Sequence, residues 1–146
     1  KNINKVPTKK VYLTRGNAKH RKVLNENEII NLLKKNNFSI VDPSKLSIIE
    51  QIEIASETKV LITPIGAGNN FGLFSPENLV FIELKHENIE FMDIHKVVCQ
   101  ILKQNYIEVK GKRVGNYEKY PENYNFIIDD DYNIPINKLK KIIETT

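Results

Sequence analysis

With 146 residues the chain has the length of one domain, and its 40% hydrophobic and 27% charged residues are ordinary for a globular protein. No apolar run approaches the ~20 residues of a membrane-spanning helix, and the single cysteine, Cys99, excludes an intrachain disulfide and the usual cysteine-based zinc sites. The net charge of +4 indicates either a solvated lysine surface or an anionic partner, and the lysines are too dispersed to favour a nucleic-acid-binding stripe.

The first part of the chain alternates between strand and helix patterns. Residues 11–14 predict a strand, residues 25–36 a helix and residues 38–41 a second strand. Asn25, followed three residues later by Glu28, has the form of a capping box and predicts where the helix starts.

The same alternation continues. Ser47 with Glu50 forms a second capping-box pattern, which opens a helix. We expect the buried stripe of this helix to consist of Ile48, Ile49, Ile52 and Ala55. Residues 60–63 predict a strand, followed by a Gly-rich turn and a short helix around residues 70–74.

Residues 79–84 predict another strand, and residues 91–103 a helix with one apolar face formed by Phe91, Ile94, Val98 and Ile101. The pattern then loosens into a C-terminal extension over residues 111–146. We expect a loop at 111–125, a short extended segment at 126–128 and a last helix opened by Pro135. This helix should pack back on the domain through Ile136, Leu139, Ile142 and Ile143.

The strands at 60–62 and 79–82 are continuously apolar, which is typical of strands covered on both faces. Repeated β-α-β units with right-handed crossovers then predict an α/β fold, a Rossmann-like three-layer domain with a mostly parallel sheet. We interpret residues 1–146 as a single domain. The start of the chain has no apolar signal sequence and no Met, so we expect a fragment of a larger protein that resides in the cytoplasm.

Ligands of open α/β sheets bind beyond the carboxyl ends of the strands, so the loops at that edge hold the candidate site. The loop after the first predicted strand contains Arg15, Lys19, His20, Arg21 and Lys22, including two of the three arginines in the protein. Arginine suits bidentate contacts with phosphate, so this loop is either a phosphate-binding element or a solvated basic loop.

The turn after the strand at 60–63 contains Gly66, Ala67, Gly68 and, at the start of a helix, Asn70. Small residues let the backbone approach a ligand, and the N–H groups at a helix start favour an anion. Glu83, near the end of the next predicted strand, is either a ribose-binding carboxylate or a paired surface residue.

Other titratable residues carry weaker signals. His20, His86 and His95 have no metal-ligand spacing, and His95 is most simply a structural residue of its helix. The run at 129–131 resembles a metal-binding DxD but is more typical of a solvated acidic turn. We therefore expect no metal site, and the sequence identifies no catalytic residue.

The motifs together resemble glycosyltransferase family 61. The resemblance rests on residues 11–15, Ala18, Arg21, Asn25-Glu26, Glu28, 38–41, Pro43, Leu46-Ser47, Glu50-Gln51, 65–68, Phe74 and 80–84. It covers roughly residues 10–110 and depends on the order and spacing of the motifs more than on any one of them.

This resemblance implies the C-terminal, donor-binding domain of an inverting GT-B glycosyltransferase of capsular or cell-surface polysaccharide synthesis. The implied partners are a nucleotide sugar, commonly a UDP sugar, a glycan acceptor and a missing N-terminal domain. No cofactor is expected, and the enzyme would work in the bacterial cytoplasm or at the inner face of the membrane. By position, Arg15 and Arg21 would hold the diphosphate with help from 66–68 and Asn70, and Glu83 would face the ribose.

The chain departs from the family pattern at two places. Ile65 stands where the family has a His, and residues 69–71 do not reproduce its Leu-Thr-Asn in register. These departures keep open a non-catalytic Rossmann-like domain that binds nucleotides or a partner. The net positive charge keeps open a basic nucleic-acid-binding domain.

Overall fold

The computed structural model of the chain describes residues 6–16, 18–89, 94–115 and 130–146, with the backbone alone at 67–69. The strands are β1 (Lys9–Leu13), β2 (Ser39–Val41), β3 (Thr58–Pro64), β4 (Val80–His86), β5 (Asn105–Val114) and β6 (Asp131–Asn133). The helices are α1 (Glu26–Lys35), α2 (Ile48–Ser56), α3 (Ile94–Ile101) and α4 (Ile136–Glu144), with 3-10 helices at Pro43–Lys45 and Ala67–Phe74. The second of these is called the 3-10 segment below. None of the helices in the described ranges is long and apolar enough to cross a bilayer.

Within the described residues the six strands form one sheet in the order β2-β1-β3-β4-β5-β6. The first five strands pair in parallel, and β6 pairs antiparallel with β5. The predicted α/β domain with a mostly parallel sheet is therefore confirmed.

The two faces of the sheet have separate hydrophobic cores. On one face, side chains such as Tyr12, Ile62 and Ile82 pack against α1 and α4. On the other face, Leu61 and Phe81 belong to a smaller core with residues of α2, the 3-10 segment and α3. Alternate residues of each strand serve opposite cores, which explains why the central strands are apolar throughout.

The predicted capping box at the start of α1 is wrong, although the helix starts where expected. Asn25 occupies the N-cap position, but its side chain makes no capping hydrogen bond. Instead its Nδ2 donates to the backbone oxygen of Ile134 at 2.8 Å, and its Oδ1 accepts from the backbone nitrogen of Ile134 at 2.9 Å. Asn25 thus ties the start of α1 to the C-terminal part of the chain.

The capping box at the start of α2 is confirmed, because the side chains of Ser47 and Glu50 each bond the backbone of the other residue. The predicted buried stripe of this helix is wrong at three of its four positions. Only Ala55 is buried, whereas Ile48, Ile49 and Ile52 are 61%, 66% and 37% exposed. The helix has an apolar side as predicted, but much of that side faces away from the sheet.

A similar difference affects α3. Of its predicted apolar face, Ile94 and Ile101 are exposed, and Phe91 lies outside the described residues. The residue of α3 that reaches the core is Cys99. Burial and the nearby Glu83 carboxylate raise the pKa of its thiol to about 11.

The C-terminal region is more ordered than its sequence pattern indicates. The loop predicted from residue 111 is wrong for 111–114, which extend β5 and pair with β6. The segment predicted at 126–128 lies outside the described residues. The last helix is confirmed as α4, with Pro135 at its N-cap, and its Leu139 and Ile143 are buried in the core beside α1.

These contacts predict different costs for removing the two helix-start side chains. Ser47→Ala removes a helix cap and should lower the free energy of unfolding by about 1 kcal/mol. Asn25→Ala leaves the backbone N–H and C=O of Ile134 without their partner, and should cost about 1–3 kcal/mol. Urea denaturation of both variants measures the difference. If Asn25→Ala lowered the free energy of unfolding no more than Ser47→Ala does, the hydrogen bonds between Asn25 and Ile134 would not hold the start of α1.

Candidate functional site

The strand order places a crevice between the ends of β1 and β3. The chain leaves β1 towards β2 on one side and returns across β1 to β3, so the connections that follow β1 and β3 cross opposite faces of the sheet. In open α/β sheets this reversal of strand order opens the crevice in which ligands bind. Tyr12 pairs with Ile62 in the sheet register, so Thr14 and Pro64 lie together at the carboxyl edge.

Arg15 lies in the loop that follows β1 (the β1 loop) and reaches across the crevice to the turn that follows β3 (the β3 loop). Its Nη1 donates to the backbone oxygen of Ile65 at 3.0 Å. Ile65 is fully buried, and its own nitrogen donates to the oxygen of Leu84, so the guanidinium is anchored to the sheet edge. Anchoring of this kind fixes the direction of the positive charge before any ligand arrives.

Two cavities flank Arg15, which lines both of them together with Ala18 and Pro64. The cavity on the α1 side measures about 220 Å³ and is also lined by Lys22 and Glu26. The Glu26 carboxylate there accepts a hydrogen bond from the hydroxyl of buried Tyr12 at 2.8 Å. This arrangement gives the first cavity charges of both signs.

The second cavity measures about 190 Å³ and lies towards the end of β2. Asp42, Ser44, Thr63 and Gly66 line it. The amide and hydroxyl of Ser44 both donate to Asp42 Oδ1, and the hydrogen bond from the hydroxyl is the main reason why the pKa of Asp42 lies below its usual value. This cavity therefore has the cationic Arg15 on one side and an ionised carboxylate on another.

Gly66 makes room for the Arg15 side chain. Its φ of +156° is one that L side chains rarely adopt. A Cβ atom built on Gly66 would lie 3.2 Å from Cζ of Arg15, so the guanidinium packs directly against this backbone. The space beside this small residue holds the Arg15 side chain, and the predicted approach of a ligand to the backbone stays a prediction.

The chain enters the 3-10 segment immediately after Gly66. Ala67 and Gly68 form the first residues of that segment, and Asn70, also within it, is exposed. The predicted phosphate contacts of these backbone N–H groups stay a prediction. The structure places the start of the segment directly beside the Arg15 guanidinium.

Arg21 also lies near the crevice, in a left-handed conformation with φ +58°. Arg15 and Arg21 both lie close enough to Tyr132 to act on its hydroxyl. The side chain of Tyr132 is fully buried, and its hydroxyl donates to the backbone oxygen of Leu84 at 2.8 Å. Burial raises the pKa of Tyr132 above its usual value, and the positive charges of Arg15 and Arg21 both oppose that rise. Both guanidinium groups therefore act electrostatically on one hydroxyl at the sheet edge.

The basic loop is held in place by β6. The backbone nitrogen of Tyr132 donates to the oxygen of Lys22, and the nitrogen of Leu24 donates to the oxygen of Tyr132, both at 2.9 Å. Asp131 Oδ1 accepts from the nitrogen of Lys22 at 2.8 Å. The sequence offered no sign of these partners, because they are separated by more than a hundred residues and lie in a region without a clear pattern.

Glu83 lies inside the sheet edge rather than in the crevice. It pairs with Thr63 in the register and has no exposed surface. Its Oε1 is 2.7 Å from Nδ1 of His95, and its Oε2 accepts from the hydroxyl of Tyr106 at 2.6 Å. The predicted ribose contact stays a prediction, and it requires the carboxylate to leave at least one of these partners.

The remaining candidates are placed as follows. His20 is exposed on the basic loop, and His86 is buried with its ring edge-on to Tyr132. Asp129 lies outside the described residues, whereas Asp130 forms an ion pair with Arg113. Among the residues that the structure describes, no three His, Cys, Asp or Glu side chains are arranged to hold a metal ion.

The chain is similar to a known protein family. The model of the family described as Glycosyltransferase 61 matches residues 1–82, which is more than half of the chain. No curated protein sequence matches the chain significantly. The matched part contains β1, β2, β3, the 3-10 segment and therefore both loops of the crevice, whereas β6 and Glu83 lie beyond it. The resemblance over residues 10–110 is thus supported as far as residue 82.

The packing of Arg15 on Gly66 can be tested with a double-mutant cycle. Gly66→Ala should lower the free energy of unfolding by about 1–3 kcal/mol, since it adds crowding against the guanidinium to an unfavourable backbone conformation. In an Arg15→Ala background the crowding disappears and only the backbone part of the cost should remain. Urea denaturation of the wild type, both single variants and the double variant measures the coupling. Equal costs of Gly66→Ala in the two backgrounds would show that the side chain does not pack there.

Proposed function

The chain belongs to glycosyltransferase family 61, and we propose that its crevice between the β1 and β3 loops binds the diphosphate of a nucleotide sugar. The observation that carries the proposal is the position of Arg15. Its guanidinium lies at the point where the strand order reverses, anchored to Ile65 and lining both cavities. Family membership supports glycosyl transfer as the general function, and the donor-binding role is the specific proposal.

In this proposal two arginines and one turn of backbone contact the phosphates. A guanidinium has five N–H donors, so Arg15 can hold the oxygen of Ile65 and a phosphate oxygen at the same time. Arg21 supplies a second positive charge from the same loop. The backbone N–H groups at Gly66, Ala67 and Gly68, with exposed Asn70, complete the anion site at the start of the 3-10 segment.

The proposed chemistry is inverting glycosyl transfer. The acceptor hydroxyl attacks the anomeric carbon and loses its proton to a base, while the bond from that carbon to the diphosphate breaks and the diphosphate leaves with the bonding pair. Negative charge grows on the leaving diphosphate, where Arg15 and Arg21 stabilise it more strongly than in the ground state. Within a GT-B enzyme of polysaccharide synthesis, the acceptor site and the base would come from a second domain.

In this proposal Glu83 contacts the ribose of the donor, but only after a rearrangement. The carboxylate reaches a ligand only if His95 or Tyr106 gives up its hydrogen bond to it. If His95 gives up its bond, donor binding depends on a local movement of α3, which carries His95.

A second candidate is a nucleotide-binding or interaction module without transfer activity. The observation that favours it is Ile65, which stands at the family's His position and is buried with both backbone groups engaged. Ile65→His separates the two candidates. A gain in nucleotide affinity indicates a transferase site that has lost one polar contact, and no gain favours the module.

Calorimetric titration with UDP tests the phosphate site. Arg15→Lys keeps the charge but loses the two-pronged geometry, and Arg15→Ala loses both. Hydrogen bonds to charged groups contribute about 1.5–3 kcal/mol, so Arg15→Ala should weaken binding by roughly ten- to a hundredfold, and Arg15→Lys by less. Arg21→Ala should act in the same direction.

The matched control is Lys35→Ala, which removes one positive charge from an exposed position at the C-terminal end of α1, at the opposite edge of the sheet. It should leave the UDP affinity unchanged. Wild-type protein that gives no heat and no amide shifts near Arg15 and Gly66 would refute the proposed site. A loss with Lys35→Ala as large as that with Arg15→Ala would reduce the effect to overall charge.

A further inference from the structure

Most of the large hydrophobic side chains that are exposed lie on one face of the sheet, in the layer formed by α2, the 3-10 segment and α3. Of the eleven large hydrophobic side chains that are exposed in the described part of the chain, eight belong to α2, the 3-10 segment and α3. They are between 37% and 73% exposed. These eight residues, called the apolar face below, are Ile48, Ile49, Ile52, Leu73, Phe74, Ile94, Val97 and Ile101.

The opposite side of the sheet behaves differently. Neither α1 nor α4 contributes a residue to the exposed large hydrophobics of the described chain, and both helices bury their apolar residues in the larger core. Contiguous apolar surface of this kind is rare on monomers and marks an interaction site. A standard interface covers about 800 Å² on each partner. Eight large side chains that are mostly half-exposed present an area of the same order.

Charges at the two edges of the apolar face have opposite signs. The exposed charged residues of α2 are Glu50 and Glu53, and the helix has no basic residue. The exposed charged residue of α3 is Lys96, and that helix has no acidic residue. Glu53 lies one turn after Ile49 on α2, and Lys96 and Val97 are consecutive exposed residues of α3, so one charge of each sign lies at the margin of the apolar face.

These features make the surface complementary to itself. Both helices run from the carboxyl edge of the sheet to its amino edge, because each returns the chain to a parallel strand. The 3-10 segment packs against both of them and lies between them. A two-fold axis parallel to the helices and over this segment places α2 of one copy on α3 of the other.

Charge selects this arrangement over the other two-fold arrangement. An axis perpendicular to the helices would place each helix on its own copy, with carboxylates facing carboxylates and ammonium groups facing ammonium groups. The parallel axis brings Glu53 of one copy towards Lys96 of its partner, and Leu73 and Phe74 meet their own copies near the axis. Like-charge contacts at an interface disfavour association, and opposite charges fix the register.

We propose that the apolar face is a dimer interface, and that its occupant is a second copy of this chain with α2 packed on α3 of the partner. This inference is independent of the nucleotide site. The carboxyl edge and its crevice stay outside the dimer contact, because the crevice lies above the strand ends and the apolar face lies on the outer side of the helices.

Sedimentation velocity of the 146-residue chain over a range of micromolar concentrations tests the proposal. The wild type should sediment as a dimer in equilibrium with monomer. Ile49→Glu places a charge within the apolar contact and should raise the dimer Kd at least about tenfold. Circular dichroism of each variant establishes that it is folded.

A charge-reversal cycle tests the crosswise arrangement. Glu53→Lys and Lys96→Glu should each raise the dimer Kd by about tenfold, and the double variant should return close to the wild-type value. Lys138→Glu, on exposed α4 at the opposite side of the sheet, is the matched control and should leave the Kd unchanged. A monomeric wild type at every concentration would overturn the dimer, and additive losses in the double variant would overturn the pairing of α2 with α3.

Discussion

The backbone pairing between β6 and the loop after β1 is the interaction on which the candidate site depends. Tyr132 bonds Lys22 and Leu24 through its backbone, and its side chain fills the core beneath the crevice. The loop holds Arg21 in a left-handed conformation, which costs free energy in a residue other than glycine. The hydrogen bonds with β6 offset this cost, because they leave the loop few other conformations.

The hydrogen bonds between β6 and the loop after β1 join residues inside the family match to residues outside it. The matched residues 1–82 contain both loops of the crevice, but the strand that fixes one of them begins at Asp131. Asn25 extends the same tie to Ile134 and thereby holds the start of α1. Residues 131–134 thus belong physically to the domain that contains the crevice, even though their sequence shows no pattern that would assign them to it.

Local features were predictable from the sequence, and long-range partners were not. Ser47 caps α2 as predicted, because the capping box is completed by a residue three positions away. Asn25 has the same local pattern but finds a partner more than a hundred residues away that satisfies both polar atoms of its amide. Likewise, the apolar stripe of α2 was predictable from helical spacing, but which part of it meets the sheet depends on how the helix is rotated over β1 and the 3-10 segment.

Glu83 shows how the depth of a residue at the sheet edge determines its hydrogen-bond partners. The last paired residues of β3 and β4 at the edge include Pro64 and Leu84, and Glu83 lies one position further in. At that depth the side chain has no access to water, so a carboxylate must find its hydrogen bonds inside the protein. His95 from α3 and Tyr106 from β5 provide them, which also explains why the His95 side chain is largely buried whereas Lys96 on the same helix is exposed. A strand-end glutamate in the sequence is compatible with an exposed or a buried carboxylate, because the sequence specifies the order of the residues along β4 but not where the neighbouring strand ends.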